Sequence, residues 1–249
     1  VWLEAPGSIT LEFPDLPALV ARVQQANQAR AGQRPIVTVL DNTWGAGIAF
    51  NAFDLGVDIS MQALTKYPSG GADVLMGSVV TRDESLHRQV LLTHMRLGLA
   101  VAANDAELVL RNMPTMALRY QAQDAATRAL ATWMQAQPGV VQVLHPALPG
   151  SPGHANWRRD AKAAACLFSV VFDPRFSLAQ VDAFCDRLKL FKLGWSWAGP
   201  ISLCAPYNVS SIRTHAWPHK GGLVRFAVGL EAVDDLRADL AQALATLNA

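Results

Sequence analysis

"VDISMQALTKYPSGGADVLMGSVVT" (Val57–Thr81) reads as two buried apolar strands joined by a short loop that carries one lysine, Lys66. A glycine pair, Gly70-Gly71, follows it. Working outward, "RPIVTVLDN" (34–42) is an apolar strand of parallel-sheet type that stops at Asp41. Between these strands, "WGAGIAFNAFDLG" (44–56) supplies a small-residue turn and a short helix. Further upstream, "FPDLPALVARVQQANQAR" (13–30) repeats apolar residues at Leu16, Leu19, Val20 and Val23. This predicts an amphipathic helix with Asp15 near its cap and Pro17 in its first turn. Downstream, "DESLHRQVLLTHMRLG" (83–98) is a helix with acidic residues at its start and Gly98 at its end. Strand and helix alternate, so this part is predicted to be α/β with a mostly parallel sheet.

After about residue 104 the pattern changes. Residues 104–139 form a long helical stretch, interrupted at Pro114 and stopped at Pro138-Gly139. "VVQVL" begins a strand, and a Pro/Gly-rich loop runs on to "HANWRRD". "ACLFSVVFD" and "GLVRFAVGLE" read as strands, and "LAQVDAFCDRLKLF" and "VDDLRADLAQALATL" as amphipathic helices. The expected division is 1–112 for the α/β part and 113–249 for a smaller α+β domain.

The composition sets limits. Of 249 residues, 51% are apolar and 16% charged, which argues for an ordered globule with a large core. The net charge is +1 without a basic run, so neither nucleic acid nor an anionic membrane is an expected partner. No apolar run approaches the length that spans a bilayer. Cys166, Cys185 and Cys204 are odd in number, nineteen residues apart and lack a CxxC pair. That argues against a disulfide framework or zinc site and fits a reducing cytoplasm. The histidines lack HExxH spacing, so no protein-built metal site is expected.

Ligands of open α/β sheets sit outside the carboxyl ends of strands, where Asp41 and Lys66 both fall. A lysine amine and a carboxylate on one crevice suit pyridoxal phosphate (PLP), the amine meeting the aldehyde and the carboxylate the pyridine nitrogen. Spacing alone also admits a turn aspartate and a solvated lysine. Arg225 interrupts the apolar positions Val224, Phe226 and Val228 and faces the other way. Such a guanidinium calls for an acid partner, either a substrate carboxylate or a structural ion pair.

The wording around these residues resembles the PLP-dependent enzymes of cysteine and methionine metabolism. Asp41 opens D-N-T, Asp58 leads the next strand, Thr65-Lys66-Tyr67 follows, and Gly70 through Asp73 close the pattern. "HPALPGSPGHANWRRD", "GWSWAG" and "GLVRFAVGLEAVDDLRADL" are similar to the bacterial cystathionine β-lyases within that family. Ile201 departs from the family's usual glutamate, and Ala63 and Leu64 stand where many members carry small or hydroxyl residues before the T-K pair.

The resemblance implies a type I, aspartate-aminotransferase-like fold whose large domain is incomplete at its N-terminus, followed by a complete small domain. Roughly 140 further residues precede this segment in the family, supplying a ring-stacking aromatic, a phosphate-binding turn and residues shared between subunits. It implies that Lys66 carries PLP covalently, Asp41 partners the pyridinium and Thr65 binds phosphate. Arg225 is implied to bind the substrate carboxylate, with Ser196 and Trp197 beside it. The implied reaction is α,β-elimination of L-cystathionine, in methionine biosynthesis, by a homo-oligomer (a dimer or dimer of dimers). The alternatives are a sister enzyme (cystathionine γ-synthase, γ-lyase or homoserine-ester sulfhydrylase) or a non-catalytic fragment of one.

Overall fold

The computed structural model describes residues 1–247. The first sheet holds β1 (Trp2–Glu4), β2 (Val39–Asp41), β3 (Ile59–Ala63) and β4 (Gly77–Thr81) in that order. The first three strands are parallel, and β4 runs antiparallel to β3. Helix α1 (Leu16–Ala29) precedes β2, with Pro17 in its first turn and the Asp15 carboxylate accepting from the Ala18 amide at 3.2 Å.

Strand β2 is shorter than the apolar run that announces it. The Asn27 side chain takes the Ile36 amide at 2.8 Å, and the Asp58 carboxylate takes the Thr38 amide and hydroxyl at 2.7 Å each. These groups are therefore withdrawn from the ladder.

The reading of residues 73–80 as a buried strand is corrected. Only Gly77–Thr81 pair, β4 is the sheet's edge, Val79 and Val80 are half-exposed, and Leu75 is 91% exposed. An apolar alternation does not report whether a covering layer exists. Helix α2 (Glu84–Arg96) is capped by Asp83, whose carboxylate accepts from the Leu86 amide at 2.8 Å, and it buries none of its side chains. Leu91 and Met95 on it, Leu110 on α3 (Ala103–Asn112) and Leu118 on α4 (Met116–Met134) are all exposed. A single 3₁₀ turn around Pro114 separates α3 from α4, where the missing proline amide interrupts the helical ladder.

The second sheet has the order β5-β6-β9-β8-β7: β5 (Val140–Leu144), β6 (Leu167–Phe172), β9 (Leu223–Ala227), β8 (Leu203–Tyr207) and β7 (Lys192–Leu193). Neighbours are antiparallel except β7 and β8. Both central strands, β6 and β9, are buried along their whole length. Helices α6 (Leu178–Arg187) and α7 (Val233–Leu247) pack with α4 around an aromatic cluster of this sheet. There Phe226 stacks on Phe168 at 5.0 Å and meets Phe191 edge-on at 5.3 Å.

Four strands and helices have no counterpart in the sequence reading, among them β7, whose two residues are too few for any pattern. Strand β1 has three residues, too few to alternate. Helix α5 (His154–Asp160) is two turns inside a Pro/Gly-rich run. Strand β8 contains Pro206, which argues against a central strand, yet β7 reaches only as far as Cys204. Pro206 therefore has no strand on one side.

A second core draws on both ends of the chain: Leu11, Phe13, Leu40, Trp44 and Tyr67 pack with Tyr120, Leu167 and Ala198. The Tyr120 hydroxyl donates to the Trp44 carbonyl at 3.2 Å. Residues 5–15 are laced to the second sheet and its loops. Ser169 Oγ donates to the Ile9 carbonyl at 2.6 Å, Asn156 Nδ2 to the Phe13 carbonyl at 3.1 Å, and Arg213 pairs with Glu12 at 3.1 Å. Among the described residues, no helix is long and apolar enough to cross a membrane.

Candidate active site

Lys66 sits in the turn that leaves β3. The Lys66 amide donates to the Ala63 carbonyl at 3.1 Å, and the Ser69 and Gly70 amides close back on Leu64 and Lys66 at 2.9 Å each. Gly70 has φ +63°, in the left-handed region that favours glycine. Tyr67 is fully buried, its ring 4.5 Å from Tyr120 and 5.8 Å from Trp197, and pins the loop to the second core. Lys66 lines a cavity of about 170 Å³ with Asp41, Glu4, Thr43, Ser8 and Trp197.

The Lys66 amine donates to Ser196 Oγ at 2.9 Å and lies 5.5 Å from the centre of the Trp197 ring. Burial, and then the charge of Arg225, lower its pKa below that of a free lysine, against the opposing pull of Cys166 and Asp41. A larger fraction of the amine is thereby neutral. Ser196 and Trp197 thus both lie beside the Lys66 amine.

Asp41 is fixed from its own strand end. Its carboxylate accepts from the Thr43 hydroxyl at 2.6 Å and the Thr43 amide at 3.0 Å. The Thr43 hydroxyl in turn accepts from the Ala63 amide at 2.9 Å, which ties the ends of β2 and β3 together. Glu4 stands in register beside Asp41 on β1; burial, and then the Asp41 charge, raise the Glu4 pKa. Thr65 lies within the turn, where its carbonyl accepts from Ser69 Oγ at 2.9 Å, and it is not among the residues that line the cavity.

Arg225, on β9, is 4% exposed. Its Nη1 donates to the Ser8 carbonyl at 3.0 Å and its Nη2 to the Trp195 carbonyl at 2.6 Å, and the guanidinium lies 5.6 Å from the Tyr207 ring centre. Among the described residues no carboxylate lies within ion-pair distance of it. Burial lowers its pKa. Two carbonyls orient this cation without neutralising it, which leaves an electrostatic demand for an anion.

A larger surface hollow of about 360 Å³ lies beside Asn51, Asp54 and Lys162, but its Arg159 is already paired with Asp15 and Asp160 and it contains none of the predicted residues. Among the described residues no cluster of histidine, cysteine or carboxylate side chains is arranged to hold a metal. Sequence reasoning passed over Glu4, Ser8 and Thr43. Thr43 belongs to the D-N-T triplet and was within reach of inspection, whereas nothing in "VWLEAPGS" announces a strand paired beside Asp41.

The sequence pattern of the family described as Cys/Met metabolism PLP-dependent enzyme matches residues 1–245. The chain belongs to this family. It is 37% identical over 254 residues to the cystathionine beta-lyase of Salmonella typhimurium, a match covering 99% of this chain and 62% of that protein. Cystathionine beta-lyase MetC of Escherichia coli is 37% identical over 247 residues, covering 96% of this chain and 60% of that one. The crystal structure of cystathionine gamma synthase from Xanthomonas oryzae pv. oryzae, in complex with aminoacrylate and cysteine, superposes with a TM-score of 0.88. It is 30% identical and covers all of this chain and 63% of that one. The chain thus spans about three fifths of the length of these relatives and shares their mixed α/β fold.

PLP is the cofactor of the family, and the donor set fits it. The cavity offers one amine whose pKa is lowered, Lys66, and one carboxylate locked by two hydrogen bonds, Asp41, from adjacent strand ends.

Proposed function

We propose that this chain carries the lysine-bearing part of a carbon-sulfur lyase that eliminates homocysteine from L-cystathionine, leaving pyruvate and ammonia. The observation that carries the proposal is Arg225: a buried guanidinium held by two carbonyls, without a carboxylate of its own, close enough to lower the pKa of Lys66. An α-amino acid brings the missing carboxylate. In this reading residues 1–112 are the cofactor-domain part and 113–249 the small domain.

PLP, when bound, supplies an electron sink for the charge left when a Cα proton departs. The chain's residues do the rest. Lys66 and Asp41 hold the cofactor at its aldehyde and ring nitrogen, and Thr65 serves its phosphate. Arg225 fixes the substrate carboxylate and so sets which Cα bond faces the lysine. The Lys66 amine, freed when the substrate's own amine takes its place and partly neutral through burial and the Arg225 charge, takes the Cα proton and returns a proton to the leaving sulfur. Ser196 Oγ, 2.9 Å from Nζ, keeps the amine on the substrate side beside Trp197. The same reading places the active unit in a homo-oligomer, and the exposed apolar side chains of α2 and α3 are compatible with such packing.

The likeness to the cystathionine gamma synthase structure favours a second reading, chemistry at Cγ. Incubation with excess PLP and L-cystathionine separates the two. Pyruvate is the expected keto acid, and 2-oxobutyrate overturns the β-elimination. Borohydride reduction followed by peptide mapping is expected to place the cofactor on Lys66, and a label elsewhere overturns the site.

A further inference from the structure

Ser196 and Trp197, beside the Lys66 amine, belong to no strand or helix, so their placement has to come from elsewhere. Upstream of them the Trp195 carbonyl accepts from Arg225 Nη2 at 2.6 Å. Downstream the Gly199 carbonyl accepts from Gln123 Nε2 at 2.9 Å. The same nitrogen donates at 3.0 Å to the carbonyl of Val228, just past the end of Arg225's own strand, β9. Segment 195–199 is thus slung between Arg225 and Gln123, and Gln123 ties it back to β9. Between the two ties Ala198 has φ +64°, a left-handed conformation that a residue with a Cβ keeps only where its surroundings hold it.

Gln123 lies on α4 and is 1% exposed. Its amide nitrogen faces two carbonyls, while its Oε1 is buried without a hydrogen-bond partner. A flipped amide would set that oxygen against both carbonyls, so they dictate its orientation. A core position filled for packing alone takes an apolar side chain and leaves no polar atom unpaired. Three residues earlier on α4, the Tyr120 ring packs 4.5 Å from Tyr67, next to Lys66 in the chain. One face of α4 therefore touches both the turn that carries Lys66 and the segment that meets its amine.

We propose that Gln123 is a positioning residue of the active site, holding Ser196 and Trp197 against the Lys66 amine through the Gly199 and Val228 carbonyls. Its bearing on turnover rests on the role given to Lys66 under the proposed function. With the tie in place, Ser196 Oγ accepts from the amine at 2.9 Å and the Trp197 ring lies 5.5 Å away. Burial is then the largest cause that lowers the amine's pKa, ahead of the Arg225 charge. Without the tie the segment swings outward and takes acceptor and cover with it. The amine regains water, and its pKa climbs toward that of a free lysine.

The test reads the amine itself and needs neither cofactor nor substrate. The chain is labelled with trace acetic anhydride from neutral to alkaline pH, unfolded and mapped, and Lys66 is compared with the exposed Lys162 and Lys220. Gln123→Met, similar in size but without a donor, is expected to raise the midpoint of the Lys66 profile toward those two references. Thr127→Val is the control. It removes the 2.6 Å bond from the Thr127 hydroxyl to the Gln123 carbonyl, also buried in α4, and touches neither of the tied carbonyls. It is expected to leave the Lys66 midpoint where it stands in the unaltered chain. If Gln123→Met does not fold, Gln123→Asn carries the test: one methylene shorter, it keeps a buried amide without the span to both carbonyls, and the same rise is expected. An unchanged midpoint in the folded Gln123 variant, or an equal rise in Thr127→Val, overturns the proposal. The lyase reading fails on other observations, the keto acid released and the residue that borohydride labels, so the two failures are told apart.

Discussion

Lys66 and Arg225 are cations in a mostly apolar setting, and the structure separates their tasks. Lys66 reaches a cavity through a turn anchored by its buried neighbour Tyr67, so its removal touches little packing. Lys66→Ala is expected to lower kcat by about 10²–10⁴-fold or more while costing no more than about 1 kcal/mol of stability, read by turnover and urea unfolding. Normal turnover of the variant refutes the role. Arg225→Ala removes a buried guanidinium with no carboxylate within ion-pair distance among the described residues, so kcat/KM for amino-acid substrates is expected to fall by about 2–5 kcal/mol, mostly in KM. An unchanged KM marks Arg225 as structural. His145 is a third buried group, with neither ring nitrogen partnered and a pKa pushed down to about 3 by burial and then by Arg128. The unfolded chain binds a proton near pH 6.5, so stability is full above that pH and is lost as the pH falls toward 3. Relative to the chain, His145→Leu is expected to gain about 2 kcal/mol between pH 7 and pH 5 in urea unfolding. A constant difference refutes it. Lys66, Asp41 and Arg225 were legible because charge at the end or in the middle of an apolar strand demands a reason. Glu4, Ser8 and the Trp195 carbonyl were not. They reach the site through backbone pairing and long-range packing that residue types do not encode.

Elements were legible where they are long or capped. Helix α1 follows its Asp15 and Pro17 signals, and the α3–α4 break falls at Pro114, because local chemistry sets those ends. Strand β4 was read as buried because its valines match a covered strand, but the cover has to come from elsewhere. Helix α5 escaped because its seven residues follow Gly153, a glycine at φ +79° that looks like part of a loop. Any Cβ at that position meets the Phe13 backbone carbonyl, the same oxygen that accepts from Asn156. Gly153→Ala is therefore expected to cost at least about 2 kcal/mol, from left-handed strain plus displacement of residues 13–15. Chemical unfolding of the purified variant measures it, and a change under about 0.5 kcal/mol refutes the close approach.

On the scale of the whole molecule, the two sheets are not independent. Trp44 and Tyr67, in the loops of the first, share a core with Tyr120 on α4, Leu167 on β6 and Ala198. A chain built this way is expected to melt in one calorimetric transition despite its two sheets, and two resolved endotherms would refute the coupling. The lacing of residues 5–15 has a further consequence, for the order in which the molecule is made. Ser8, Ile9, Glu12 and Phe13 bond to groups lying 217, 160, 201 and 143 positions later. At synthesis speeds of about 5–20 residues per second, a nascent chain carries this strap unpartnered for roughly 10–40 s. The segment emerges well before its partners and waits for them, so the walls of the cavity close only when β9 leaves the ribosome.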